Sequence, residues 1–155
     1  MLNNLLEAMD IPPKIRIPLC IEQGSVFNFQ LQFVGPKRQS KNRYFVVLNR
    51  NPKSDVVLIM VTPTTQIAKR IEFVKQAGIS ESTIVLVSPT DYPTFTSKCA
   101  FNCNDVYEVS LTDLIRKIEE NGSMNYPKMS AGVLAKILTA VKRSPSIAPT
   151  TKELL

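Results

Sequence analysis

The sequence predicts a mainly β protein with α-helices: a small antiparallel barrel of about five strands followed by C-terminal helices. Three observations predict it. An early stretch alternates polar and apolar residues at a period of two. Short apolar runs then follow one another through turns with no βαβ alternation, which favours an antiparallel barrel over a parallel sheet. Two long stripes of helical period come only after Ser110.

The elements follow in order. Residues 1–9 read as one or two helical turns, and Pro12, Pro13 and Pro18 then break regularity, so residues 1–22 are expected to be an arm. From Gly24, Val26, Asn28, Gln30 and Gln32 alternate with Phe27, Phe29, Leu31 and Phe33, a half-buried strand whose phenylalanines are expected in the core. GPKRQSKN is a polar loop. Residues 44–48 (YFVVL) form a near-continuous apolar run, typical of a strand covered on both faces. A turn at Asn51-Pro52-Lys53-Ser54 leads to a third strand over 56–62, antiparallel to the second. Ile67, Ile71 and Val74 then fall at helical spacing and stop before Gly78. Residues 83–87 are a fourth strand, and 101–109, interrupted by Asn102 and Asn104, a fifth. Ser110-x-x-Asp113 opens a helix that Gly122 ends. Ser130 is placed to cap another, striped by Val133, Leu134, Ile137, Leu138 and Val141. Residues 23–145 are thus the barrel domain, and 146–155 a polar tail expected to fray.

Composition narrows the chemistry. The 155 residues are 44% hydrophobic and 21% charged, ordinary for one folded domain. No apolar run reaches the roughly 18 residues of a membrane helix. There is no histidine, which excludes Ser-His-Asp and Cys-His centres and any zinc site that uses one. Three cysteines, Cys20, Cys99 and Cys103, with no secretory leader at Met1, point to a reduced, cytoplasmic protein; Cys99-x3-Cys103 lacks further ligands, so no metal or cofactor is expected. The net charge of +6 is local. Between Gln23 and Ser54 there is no acid but six bases (Lys37, Arg38, Lys41, Arg43, Arg50 and Lys53), while the remainder carries 13 bases and 13 acids. A one-sign patch on a neutral body attracts nucleic acid or an acidic protein segment.

Several segments resemble the MazF/PemK (Kid) family of toxin endoribonucleases. Gly24-Ser25-Val26-Phe27 looks like its first strand, which opens on Gly-Asp. Asn42-Arg43-Tyr44-Phe45-Val46-Val47-Leu48 resembles its Arg-Pro-x-Val-Val-Leu segment, which follows a flexible basic loop. Val61-Thr62-Pro63-Thr64-Thr65-Gln66 is similar to its third-strand ending, and the helix after Met129-Ser130 sits where its last helix sits. The resemblance spans roughly residues 23–143. It implies an SH3-like barrel, usually a homodimer, that cuts single-stranded RNA at short motifs without a metal and is covered by an antitoxin. By position, Arg43 matches the catalytic arginine and Thr64 the catalytic threonine or serine. The chain departs from the pattern at Ser25, at Tyr44 where a proline is usual, at the helical insertion over 67–78, and at Asn102-Cys103-Asn104-Asp105, where one branch has Arg-x-Asp.

The chemistry follows from the resemblance. Driving a ribose 2′-OH onto its neighbouring phosphorus builds a doubly charged phosphorane. That state needs fixed positive charge, a donor on a non-bridging oxygen and proton transfer at each end. The planar fork of Arg43 suits the first task. Thr64, beside the Thr65 hydroxyl and the Gln66 amide, suits phosphate and base-edge contacts. With no histidine, the candidates for proton acceptor are Asp105, Asp91 and Tyr44, Asp105 being preferred. Lys37, Arg38 and Lys41 are expected to hold the RNA backbone or an acidic antitoxin tail. The rivals are a non-catalytic SH3-like module that binds nucleic acid or an acidic protein with the same loop, and a folded partner whose N-terminal arm mediates assembly.

Overall fold

The structure, a computed structural model, describes residues 2–31 and 41–155. Seven strands make two antiparallel sheets. The first sheet runs β1 (Val26–Leu31), β2 (Lys41–Val47), β3 (Leu58–Val61), β7 (Tyr107–Val109). The second runs β4 (Pro63–Thr64), β6 (Cys99–Asn102), β5 (Ile84–Val87). Only Thr62 separates β3 from β4, so one stretch of chain feeds both sheets and the wall curls into a half-barrel.

The apolar run at 44–48 is covered on both faces, as its composition requires. Phe45 and Val47 enter one core with Phe27, Phe29, Leu58 and Met60; Val46 and Leu48 enter the other with Ile59, Val61 and Phe101. Phe29 stacks on Phe45 at 4.1 Å between ring centroids. The first core is closed by α4 (Leu111–Asn121), through Leu114 and Ile118, and by Ile17. The second is closed by α5 (Ala131–Arg143), through Val133, Leu134, Ile137 and Val141. Burying each large side chain contributes roughly 1.5–3 kcal/mol. Phe27 and Phe29 are therefore core residues; Phe33 lies outside the described residues.

Several elements differ from the sequence expectation. The proline-rich arm holds two helices, α1 (Leu2–Ala8) and α2 (Pro13–Cys20). Pro13 stands in the first turn, where no N–H is needed, and only Pro18 is internal. The short helix tolerates it because Ile17 is fully buried against the first core. Buried Arg16 donates to Asn3 Oδ1 at 2.7 Å and so fastens α1 to α2. The single strand expected over 101–109 is two, β6 and β7, in different sheets. They are split by a turn in which Asp105 N–H donates to Asn102 O at 3.2 Å. The helical insertion is present as α3 (Ile67–Gln76). Ser110 caps α4 by accepting from Asp113 N–H at 3.1 Å. Ser130 caps nothing with its side chain; its hydroxyl donates to Asp91 O at 3.3 Å. The chain end does not fray: it forms α6 (Pro149–Lys152), Leu155 is buried, and Leu154 O accepts from Arg50 N–H at 2.9 Å.

Candidate functional site

The β2–β3 pairing sets Val46 opposite Val61. Past that pair the chain runs through Thr62 into β4, which pairs with β6 but still contacts β2, so Thr64 of β4 and Arg43 near the start of β2 come to the same region. Both line one open cavity of about 410 Å³, together with Lys41, Tyr44, Thr65, Gln66 and Arg70, with Thr94, Phe95, Thr96 and Ser97 of the loop before β6, and with Cys99 at the start of β6. Two residues 21 positions apart in the chain thus face one space because β3 passes into β4 without a loop.

Arg43 is half-buried, and its Nε is fully so. Thr64 is also half-buried. Its Oγ1 accepts from Gln66 N–H at 3.2 Å, a local turn that fixes the hydroxyl and leaves its proton to donate elsewhere. Lys41, Thr65 and Gln66 are exposed at the rim. Arg70 reaches the cavity from the first turns of α3, whose opening residues have no side-chain cap. The rings of Tyr44 and Phe95 line the cavity, 5.4 Å apart ring centre to ring centre, and Tyr44 also meets Tyr126, outside the lining, at 5.2 Å.

Among the described residues no carboxylate lines the cavity. Asp105 is exposed in the turn after β6 and stands outside it, contrary to its preferred placement in the sequence reading. It still shares a neighbour with Arg43: the Tyr107 phenol is raised first by burial and then by Asp105, while Arg43 pulls it down. Asp91 is also outside. Its carboxylate accepts from Ser88 N–H at 2.9 Å and from Ser88 Oγ at 3.0 Å, and these bonds hold its pKa below the usual carboxylate range. Tyr44 is in the cavity, but burial, then the neighbouring Tyr126, raises its phenol above the ordinary tyrosine range. Burial pushes the Cys99 thiol up to about 11 and Cys103 to about 12, so neither is a thiolate nucleophile at neutral pH. Among the described residues no group of three or more Cys, Asp or Glu is placed to hold a metal, and no helix is long and apolar enough to cross a membrane.

Lys37 and Arg38 lie outside the described residues. Arg70, Thr94, Thr96 and Ser97 were not among the sequence candidates. Arg70 borders the Ile67–Ile71 stripe of an insertion with no counterpart in the resemblance, and the three hydroxyls sit in a short run between Pro93 and Lys98.

No family model matches the sequence, and no curated protein matches it. Among solved structures, one similar in fold is the MazE–MazF crystal structure (form III) from Deinococcus radiodurans. It has a TM-score of 0.48 and 10% sequence identity, covering 78% of this chain and 92% of that chain. The chemistry rests on the cavity's own residues.

Proposed function

We propose that this protein is a single-stranded RNA endoribonuclease of the MazF/PemK toxin type, working without a metal and restrained by an antitoxin with an acidic segment. One observation carries the reading: Arg43 and Thr64, matched separately to a catalytic pair, line the same cavity. Arg43 holds the scissile phosphate and Thr64 donates to one of its non-bridging oxygens, while Arg70 holds the neighbouring phosphate. Lys41, Thr65 and Gln66 position the flanking nucleotides at the rim. The attacking group is the RNA's own 2′-OH. The 2′-OH gives its proton to solvent hydroxide as it closes on phosphorus, and the 5′-oxygen leaves with a proton from water, giving a 2′,3′-cyclic phosphate, while the guanidinium stabilises the charge that builds between those events. The working form is a cytoplasmic homodimer.

A second reading has its own observation. Among the described residues no carboxylate lines the cavity, and the Tyr44 phenol is pushed up, so it lacks an evident proton acceptor. An RNA-binding module without catalysis fits that. Incubating purified protein with an RNA ladder, in the presence of a chelator, separates the two. The nuclease yields discrete cuts with cyclic phosphate ends, and Arg43→Ala lowers the rate by roughly 10²–10³. RNA left intact but retarded on a gel rejects cleavage in favour of binding. Growth arrest on expression that Arg43→Ala relieves adds the cellular arm of the test.

A further inference from the structure

Strand β5 borders its sheet, with β6 on one side and, among the described residues, no strand paired on the other. Antiparallel ladders alternate bonded and non-bonded pairs. Cys103 N–H donates to Thr83 O at 2.9 Å. With Ile84 opposite Asn102 and Leu86 opposite Ala100, the bonded pairs fall at Thr83, Val85 and Val87, so Ile84 and Leu86 turn their backbone groups away from β6. Both ends of this edge are already satisfied. Ile84 N–H donates to Glu81 O, and Ser88 N–H donates to the Asp91 carboxylate at 2.9 Å. Between them remain the Ile84 carbonyl and both backbone groups of Leu86, a slot the length of a short extended segment. Proteins usually cover or charge such an edge.

This one opens onto a groove of about 490 Å³ between β5 and α5. Ala135 and Thr139 keep its helix side shallow, Lys136 and Arg143 stand exposed along it, and among the described residues no acid lines it. Lys136 also acts on Asp91 at the end of the edge, whereas no acid of the lining stands beside Arg143. Leu86 is 43% exposed at the slot. We infer that the β5 edge and the α5 groove form a docking site for an extended acidic segment of a partner protein, which adds to the sheet as a strand at Leu86 with its carboxylates on Lys136 and Arg143. The backbone slot calls for a polypeptide, and the cations call for acids. A second copy of this chain fits poorly, because a two-fold contact along β5 would set Lys136 and Arg143 against the same cations. The groove shares no residue with the Arg43 cavity, so the inference stands apart from the nuclease reading.

The test uses the full chain and a short labelled peptide alternating valine and glutamate, with a valine–lysine peptide and a single-stranded RNA oligonucleotide as controls. The acidic peptide should raise fluorescence anisotropy on binding and slow hydrogen exchange at the Leu86 amide; the controls should leave that amide unprotected. Lys136→Glu with Arg143→Glu, both at exposed positions, should weaken binding by about tenfold or more. Absence of Leu86 protection overturns the proposal. So does binding that survives the charge reversal, or equal protection by the lysine peptide. Equal protection by the RNA makes this a nucleic-acid surface instead.

Discussion

Proton transfer at the cavity is set by which side chains are absent from it. A guanidinium does not exchange protons at working pH, and burial holds the Tyr44 phenol above the ordinary tyrosine range. Residues 32–40 contain no histidine, aspartate or glutamate that might supply the missing group. On the proposed nuclease reading, the 2′-OH then loses its proton to solvent hydroxide. The cleavage rate is expected to climb about tenfold per pH unit from about 6 to 9, with no bell. A plateau or bell with an apparent pKa between about 4 and 8, in the pH dependence of single-turnover cleavage, would show that a carboxylate takes part after all. The thiols give a second check. With their pKa values raised to about 11 and about 12, Cys99 and Cys103 carry almost no thiolate at pH 8. Alkylation of the native protein followed by mass mapping should modify Cys20 and spare the other two until the chain is unfolded.

At the level of elements, the sequence carries information wherever burial imposes a period. The alternation from Val26, the two-faced run before Leu48 and the stripes of α4 and α5 are each fixed by the core they fill, and they were legible. Three things were not. β4 is two residues long and opens on a proline, so no pattern could announce it. The break between β6 and β7 is held by long-range bonds: Asn104 Nδ2 donates to Thr83 Oγ1 at 2.7 Å, and Asn104 Oδ1 accepts from Ser144 Oγ at 2.6 Å. Arg70 enters the site because α3 follows closely on β4 and packs against β6. Of the candidate site, the Arg43–Thr64 pairing was readable from motif order, but the exclusion of Asp105 depended on that same break. Asn49 is a comparable hidden bracket. Fully buried beyond β2, it accepts from Ile59 N–H at 2.6 Å and donates to Val57 O and Asp55 Oδ2, both at 2.9 Å. Asn49→Ala strands the Ile59 donor and the Val57 acceptor. It should cost about 2–4 kcal/mol, read as a lowered urea midpoint with an unchanged slope.

For the whole molecule, the decisive property is where its charge lies. A net charge of +6 spread evenly would attract RNA weakly everywhere. Here the excess falls between Gln23 and Ser54, and β2 carries part of it, Lys41 and Arg43, to the mouth of the cavity, where α3 adds Arg70. Each phosphate neutralised on a single strand contributes about −0.7 to the slope of log affinity against log salt. If Arg43 and Arg70 each hold a phosphate contact, binding of a non-cleavable 2′-deoxy oligonucleotide should weaken with salt, and Arg70→Ala should make that slope shallower by about 0.7. Arg143→Ala, a cation on α5 away from the cavity, should leave the slope unchanged. An equal loss from both substitutions would mean that RNA reads only the overall charge, and the cavity would then have no special claim on the phosphate.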